Sequence, residues 1–150
     1  MTITNTNPFA SALATAGYKV ETIVLDDRST EAEAQKALEK AAGANLVIAS
    51  LYGRVRTGST NSIGLPQSGV TALNAILNAK IPVVGISFGN PYLLQSFPAL
   101  WTYLIAYGDM PALQQAAARS IFGEIDTTGR LPISLPGLYP RGTGIQLKKR

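Results

Sequence analysis

The run PVVGIS, Pro82 to Ser87, decides the fold of this 150-residue chain. It lacks the every-second-residue alternation of a strand with one wet face, and Val83, Val84 and Ile86 favour extended backbone. A run of that kind belongs in a sheet covered on both sides. LVIAS, Leu46 to Ser50, repeats the pattern upstream. Between the two, a helix opening at Pro66 turns Val70, Leu73 and Leu77 to one side. Strand, helix and strand in that order form the crossover of a parallel pair.

The alternation extends in both directions. Downstream, FGNPY makes a turn and Trp101 to Ala106 a further strand. Pro111 opens a helix whose Leu113, Ala116, Ala117, Ser120 and Ile121 share a face, and LPISL, Leu131 to Leu135, supplies the last strand. Upstream, VETIVL, Val20 to Leu25, is a strand candidate. Thr30 and Glu33 then form a capping box for a helix running to about Ala42, with Ala34, Ala37, Leu38 and Ala41 as its inward stripe. Pro8 to Ala16 is a first helix ended by Gly17. The expected fold is a three-layer α/β/α sandwich with an open, mostly parallel, doubly wound sheet resembling that of flavodoxins. Such a fold opens with a strand. Only Thr2 to Thr4 precede the first helix, so the first strand is expected to be truncated. Residues 1–147 form the expected domain, followed by a basic tail, 148–150.

Composition narrows the function classes. An apolar content of 46% with 15% charged residues is that of a globular domain. No apolar run is long enough to span a membrane, and no basic region precedes the first apolar stretch as in a signal peptide. The absence of cysteine leaves the redox compartment open. Lys148, Lys149 and Arg150 supply three of the 13 basic residues, leaving ten against nine acids elsewhere. No aromatic residues interleave with the basic ones, so a nucleic-acid surface is not expected.

The chemistry available is limited. With no histidine there is no imidazole base for a serine, and with neither histidine nor cysteine a metal would need clustered carboxylates. The nine acids are scattered. Asp26 and Asp27 are adjacent, but neighbours in sequence seldom converge on one bond; a turn with Arg28 as ion-pair partner is the simpler reading. Glu124 is read either as an ion-pair partner of Arg130 or as a group available for chemistry. No dinucleotide fingerprint or P-loop occurs. No cofactor, metal or catalytic residue is expected. The loop after Ser50 is the most suggestive stretch, because ligands of open parallel sheets sit beyond the carboxyl ends of strands. Its RTGSTNS resembles the phosphate loop of flavodoxins, so an anion such as FMN or phosphate held through Arg54 to Ser62 is one reading. A solvated connection or an interdomain surface is the other.

FGEIDTTGRLPISLPGLYPRGTG, Phe122 to Gly144, resembles the closing signature of the C-terminal domain of family 3 glycoside hydrolases. The matching residues are Phe122, Gly123, Glu124, Gly129, Arg130, Leu131, Pro132, Ile133, Ser134 and Pro136; Thr127 or Thr128 stands where that pattern often has proline. Upstream, SFGNPYLL, FP, AYGD and QQAAAR are similar to the β-N-acetylglucosaminidase branch, and the resemblance runs from about Phe9 to Gly144. It implies a non-catalytic α/β domain beside a (β/α)8 barrel, in cis or in trans. In the family the barrel holds the nucleophile and, in this branch, a His-Asp acid/base pair; neither motif occurs here. Some branches take an acid/base glutamate from the accessory domain, but Leu51 to Leu65 contains no acid. The chain alone is therefore expected not to cleave glycosidic bonds. Arg54, Arg56, Ser59 and Asn90 are the expected contacts to the barrel or to an N-acetylglucosamine-containing saccharide at a shared cleft.

Overall fold

The computed structural model describes residues 8–53 and 64–150. In chain order they form α1 (Pro8–Thr15), α2 (Glu31–Ala42), β1 (Val47–Leu51), α3 (Gln67–Asn78), β2 (Val83–Ser87), a 3-10 helix (Pro91–Ser96), β3 (Thr102–Ile105) and α4 (Pro111–Ile121). Two compact units result: Ile23–Gly108, and the chain up to Thr22 joined by Asp109–Arg150.

The unit Ile23–Gly108 holds an open parallel sheet in the order β1-β2-β3, with Val47 opposite Val83 and Val84 opposite Thr102. Sheet and helices together give the α/β class expected of the sandwich. The strands follow one another in sequence order, so they make a single half-sheet with no reversal of strand order among the described residues. β2 is central and buries Gly85, Ile86 and Ser87, whereas β1 is half-buried from Val47 to Ser50. A Cβ on Gly85 would run into the Leu100 side chain, which explains glycine in the middle of a strand. Ile86, Leu93 and Phe97 are wholly buried. Fully covering a side chain of that size contributes about 1.5–3 kcal/mol.

Local signals act here as the sequence specifies. Glu33 N–H donates to Thr30 Oγ1 at 3.3 Å and Thr30 N–H donates to Glu33 Oε2 at 2.7 Å, closing the capping box of α2. Ala34 and Ala37 of α2 cluster with Ala72 of α3, and Leu25 packs against them. The carboxyl end of α3 is a Schellman motif: Lys80 N–H donates to Leu77 O at 3.0 Å and Ile81 N–H to Ile76 O at 3.4 Å. Lys80 adopts φ 57 there, a conformation usually left to glycine.

In the other unit α1 and α4 pack together, burying Phe9 and Leu13 from the first and Gln114, Ala117 and Ala118 from the second. The buried face of α4 lies one residue further round than the apolar stripe predicts. Gln114 Nε2 donates to Asp109 O at 2.7 Å, which allows a polar residue inside.

Two expected strands are not formed. Val20 to Leu25 has no ladder, and Tyr18, Val20, Ile23 and Val24 are exposed. A strand needs an edge in register to receive its hydrogen bonds, and β1 is paired with β2 alone among the described strands. Leu131 to Leu135 is also irregular. Pro132 and Pro136 lack donors, and only isolated bridges form, Leu135 with Tyr139 and Thr127 with Leu147. The segment is held instead by scattered bonds: Leu131 N–H to Thr143 O and Gly142 N–H to Leu131 O, both 2.8 Å. Leu135 is nonetheless 1% exposed. The basic tail is tied down, with Lys148 Nζ donating to Asp126 Oδ2 at 2.7 Å, Lys149 N–H to Asp126 Oδ1 at 2.8 Å and Arg150 N–H to Gly123 O at 2.8 Å.

Candidate functional site

The carboxyl ends of the three strands form one edge: Tyr52 and Gly53 after β1, Phe88 to Asn90 after β2, Ala106 and Tyr107 after β3. Backbone pairing continues past the strands and holds the edge in register. Phe88 N–H donates to Leu51 O at 3.0 Å and Ala106 N–H to Ser87 O at 2.9 Å. The rings of Tyr52 and Phe88 stack at 4.9 Å. Gly89 takes φ +145, and a Cβ there would sit 3.5 Å from Gly53 O, so the two turns approach closely.

Behind the edge is a small polar network. Ser87 is fully buried and its Oγ donates to Asn90 O at 2.7 Å. Tyr103 OH donates to Pro91 O at 3.4 Å. Burial pushes the Tyr103 phenol up to about 12; its hydrogen bond with Ser87 opposes the rise, and nearby Tyr107 adds to it. Burial also raises Tyr107, which adopts φ 57. Both phenols are thus neutral donors at physiological pH. Asn90 Oδ1 accepts from Tyr92 N–H at 2.9 Å, capping the 3-10 helix. That cap occupies the amide oxygen and leaves the NH2 as the group Asn90 can offer a ligand.

Of the expected contact residues, Asn90 lies on this edge; Arg54, Arg56 and Ser59 fall outside the described residues, as does the rest of the anion-loop reading from Arg54 to Ser62. None of the nine acids belongs to Tyr52–Gly53, Ser87–Asn90 or Ala106–Tyr107. Asp26 is engaged in a turn, its Oδ1 accepting from Arg28 N–H at 2.8 Å, so Arg28 enters through backbone. Glu124 pairs with Arg119 at 3.3 Å rather than with Arg130, whose Nη1 donates to Gly142 O. Among the described residues no three groups gather that could hold a metal ion. The edge can bind and orient through phenol, amide and backbone donors. Ser87, Phe88, Tyr103 and Tyr107 are the members that sequence reading passed over. FGNPY was visible as a turn and AYGD as part of the family resemblance, but nothing in them announced that their side chains meet.

No protein-family model and no curated protein matches the sequence. Solved structures do match. One is the fungal multi-domain GH3 β-N-acetylglucosaminidase in which a GCN5-related glucosamine N-acetyltransferase region has been described. It is 28% identical over 92% of this chain, with a TM-score of 0.70. Another is a glycoside hydrolase family 3 β-N-acetylglucosaminidase from Paenibacillus sp. str. FPU-7, 20% identical over 82% of this chain with a TM-score of 0.64, a likeness of fold. The chain spans only 15% and 22% of those proteins. By sequence and fold together, the chain is similar to an α/β region of glycoside hydrolase family 3 enzymes.

Proposed function

We propose that the chain is a non-catalytic accessory domain, residues 1–147 with the tail 148–150, of a β-N-acetylglucosaminidase-like family 3 glycoside hydrolase. It supports hydrolysis of O-glycosidic bonds by a barrel domain that this sequence does not contain. The observation that carries the reading is the 28% identity over 92% of the chain to a region making up 15% of a multi-domain β-N-acetylglucosaminidase. The edge of Tyr52, Asn90 and Tyr107 supports it, because it offers neutral donors and aromatic surface suited to the rim of a sugar pocket. In this reading Asn90, together with Arg54, Arg56 and Ser59, faces the barrel or an N-acetylglucosamine unit at the shared cleft.

The test is enzymatic. The purified chain should show no turnover of an aryl N-acetyl-β-glucosaminide. Added to, or fused behind, a family 3 barrel lacking its own accessory domain, it should raise kcat/KM several-fold, and Asn90→Ala should reduce that gain. Turnover by the chain alone, or a barrel indifferent to it, would overturn the reading.

A further inference from the structure

A cavity of about 590 Å³ opens at the amino ends of the strands, the opposite end of the sheet from the edge described above. Its lining includes the apolar side chains of Leu46, Leu77, Ile81, Pro82 and Val84. Asn78, Lys80 and Thr102 contribute polar groups. Trp101, the only tryptophan of the chain, lines it while 95% exposed.

We propose that this cavity is a second saccharide-binding site, with Trp101 as its stacking platform. Three observations point the same way. First, an indole is the largest flat apolar surface a side chain can present, and leaving it in water forgoes burial that the rest of the unit achieves. Second, the mixture of surfaces suits a pyranose ring. One face of the ring presents C–H groups that pack on an aromatic plane, while hydroxyls around its rim need donors and acceptors. Asn78 offers both, Thr102 offers a hydroxyl, and Lys80 offers an ammonium. Third, Lys80 occupies the left-handed position of the α3 Schellman motif, where glycine costs least. A long cationic side chain kept in a strained conformation beside a cavity is accounted for when the ammonium serves the ligand. That the sugar is an N-acetylglucosamine oligomer rests on the proposed function; the stacking site does not.

The single tryptophan makes the experiment direct. The purified chain is titrated with the β-1,4-linked disaccharide of N-acetylglucosamine and, separately, with cellobiose, while indole emission is followed. The site predicts a saturable blue shift with at least one of them at a Kd near or below about 1 mM. Binding measured by calorimetry should fall at least tenfold in Trp101→Ala. It should fall several-fold in Lys80→Gly, a variant whose thermal stability should be no lower than wild type. Unchanged emission with both sugars would overturn the proposal, as would full binding in Trp101→Ala. So would a blue shift that grows with protein concentration in sugar-free buffer, because a second copy would then cover the indole. None of these outcomes involves a barrel domain, so the result stands apart from the test of the accessory role.

Discussion

β2 and the segment Leu131–Leu135 have similar raw material: five residues each, rich in branched apolar side chains, with a proline just before the first and inside the second. β2 became the middle strand of a parallel sheet, whereas Leu131–Leu135 gave one isolated bridge at its end. The difference lies in donors and neighbours. Within Val83–Ser87 every residue keeps its N–H, and two parallel strands lie ready on either side. Within Leu131–Leu135, Pro132 removes a donor, Pro136 follows at once, and chain from Leu138 to Gly144 folds back in tight turns. Burial does not require a ladder. Leu135 is as deeply buried as Ile86 without belonging to any strand.

If burial rather than strand pairing sets the energy, the two regions should respond alike to cavities. Phe97→Ala in the sheet unit should cost about 3–5 kcal/mol and Leu135→Ala about 2–5 kcal/mol, read from urea denaturation. A loss below about 1 kcal/mol at Leu135 would separate the regions and mark the closing segment as a loosely held crossing.

The next contrast is electrostatic and smaller. Tyr103 sits with its phenol raised to about 12 from an ordinary 10.0. Between those values the unfolded chain has lost its tyrosine protons while the folded chain retains this one, so stability contributed below pH 10 drains away as pH climbs toward 12. The integrated effect is at most about 3 kcal/mol. Tyr103→Phe should flatten that alkaline decline, measured as the fall in Tm from pH 9 to 11, relative to wild type. An identical slope in the variant would show that other groups govern it.

The smallest effect belongs to the other unit. The hydrogen bond from Lys148 and the Lys149 N–H together hold Asp126 below its ordinary value of 3.8. A carboxylate lowered on folding contributes above its unfolded value, and the contribution is lost as pH falls through the folded value. Acidification below about pH 4 should therefore release the tail. Faster hydrogen exchange at the Lys149 amide would report it, and Asp126→Asn should show that fast exchange at neutral pH. The sheet unit should be unaffected in both cases.

Local signals were fully legible in the sequence. The Thr30–Glu33 box, the end of α1 at Gly17 and the three strands at Val47, Val83 and Thr102 all form where their residues indicate. Each depends on chain within a few residues, or on a run so apolar that only a sheet interior suits it. Asn90 was legible as a residue of the turn beyond the carboxyl end of a strand, because FGNPY follows that strand. Ser87, Tyr103 and Tyr107 were not, since nothing in their spacing forecasts that one hydroxyl will bond across to the next connection.

Sequence alone settled the α/β class, the capping box of α2 and the parallel pairs, because these follow from residue type and near neighbours. Tertiary structure alone decided that Val20–Leu25 and Leu131–Leu135 stay outside the sheet, and that Trp101 stays exposed beside a cavity. A strand exists only where a free edge meets it in register, and a surface exists only where nothing else packs. Both conditions belong to distant parts of the chain, and no stretch of sequence carries them by itself.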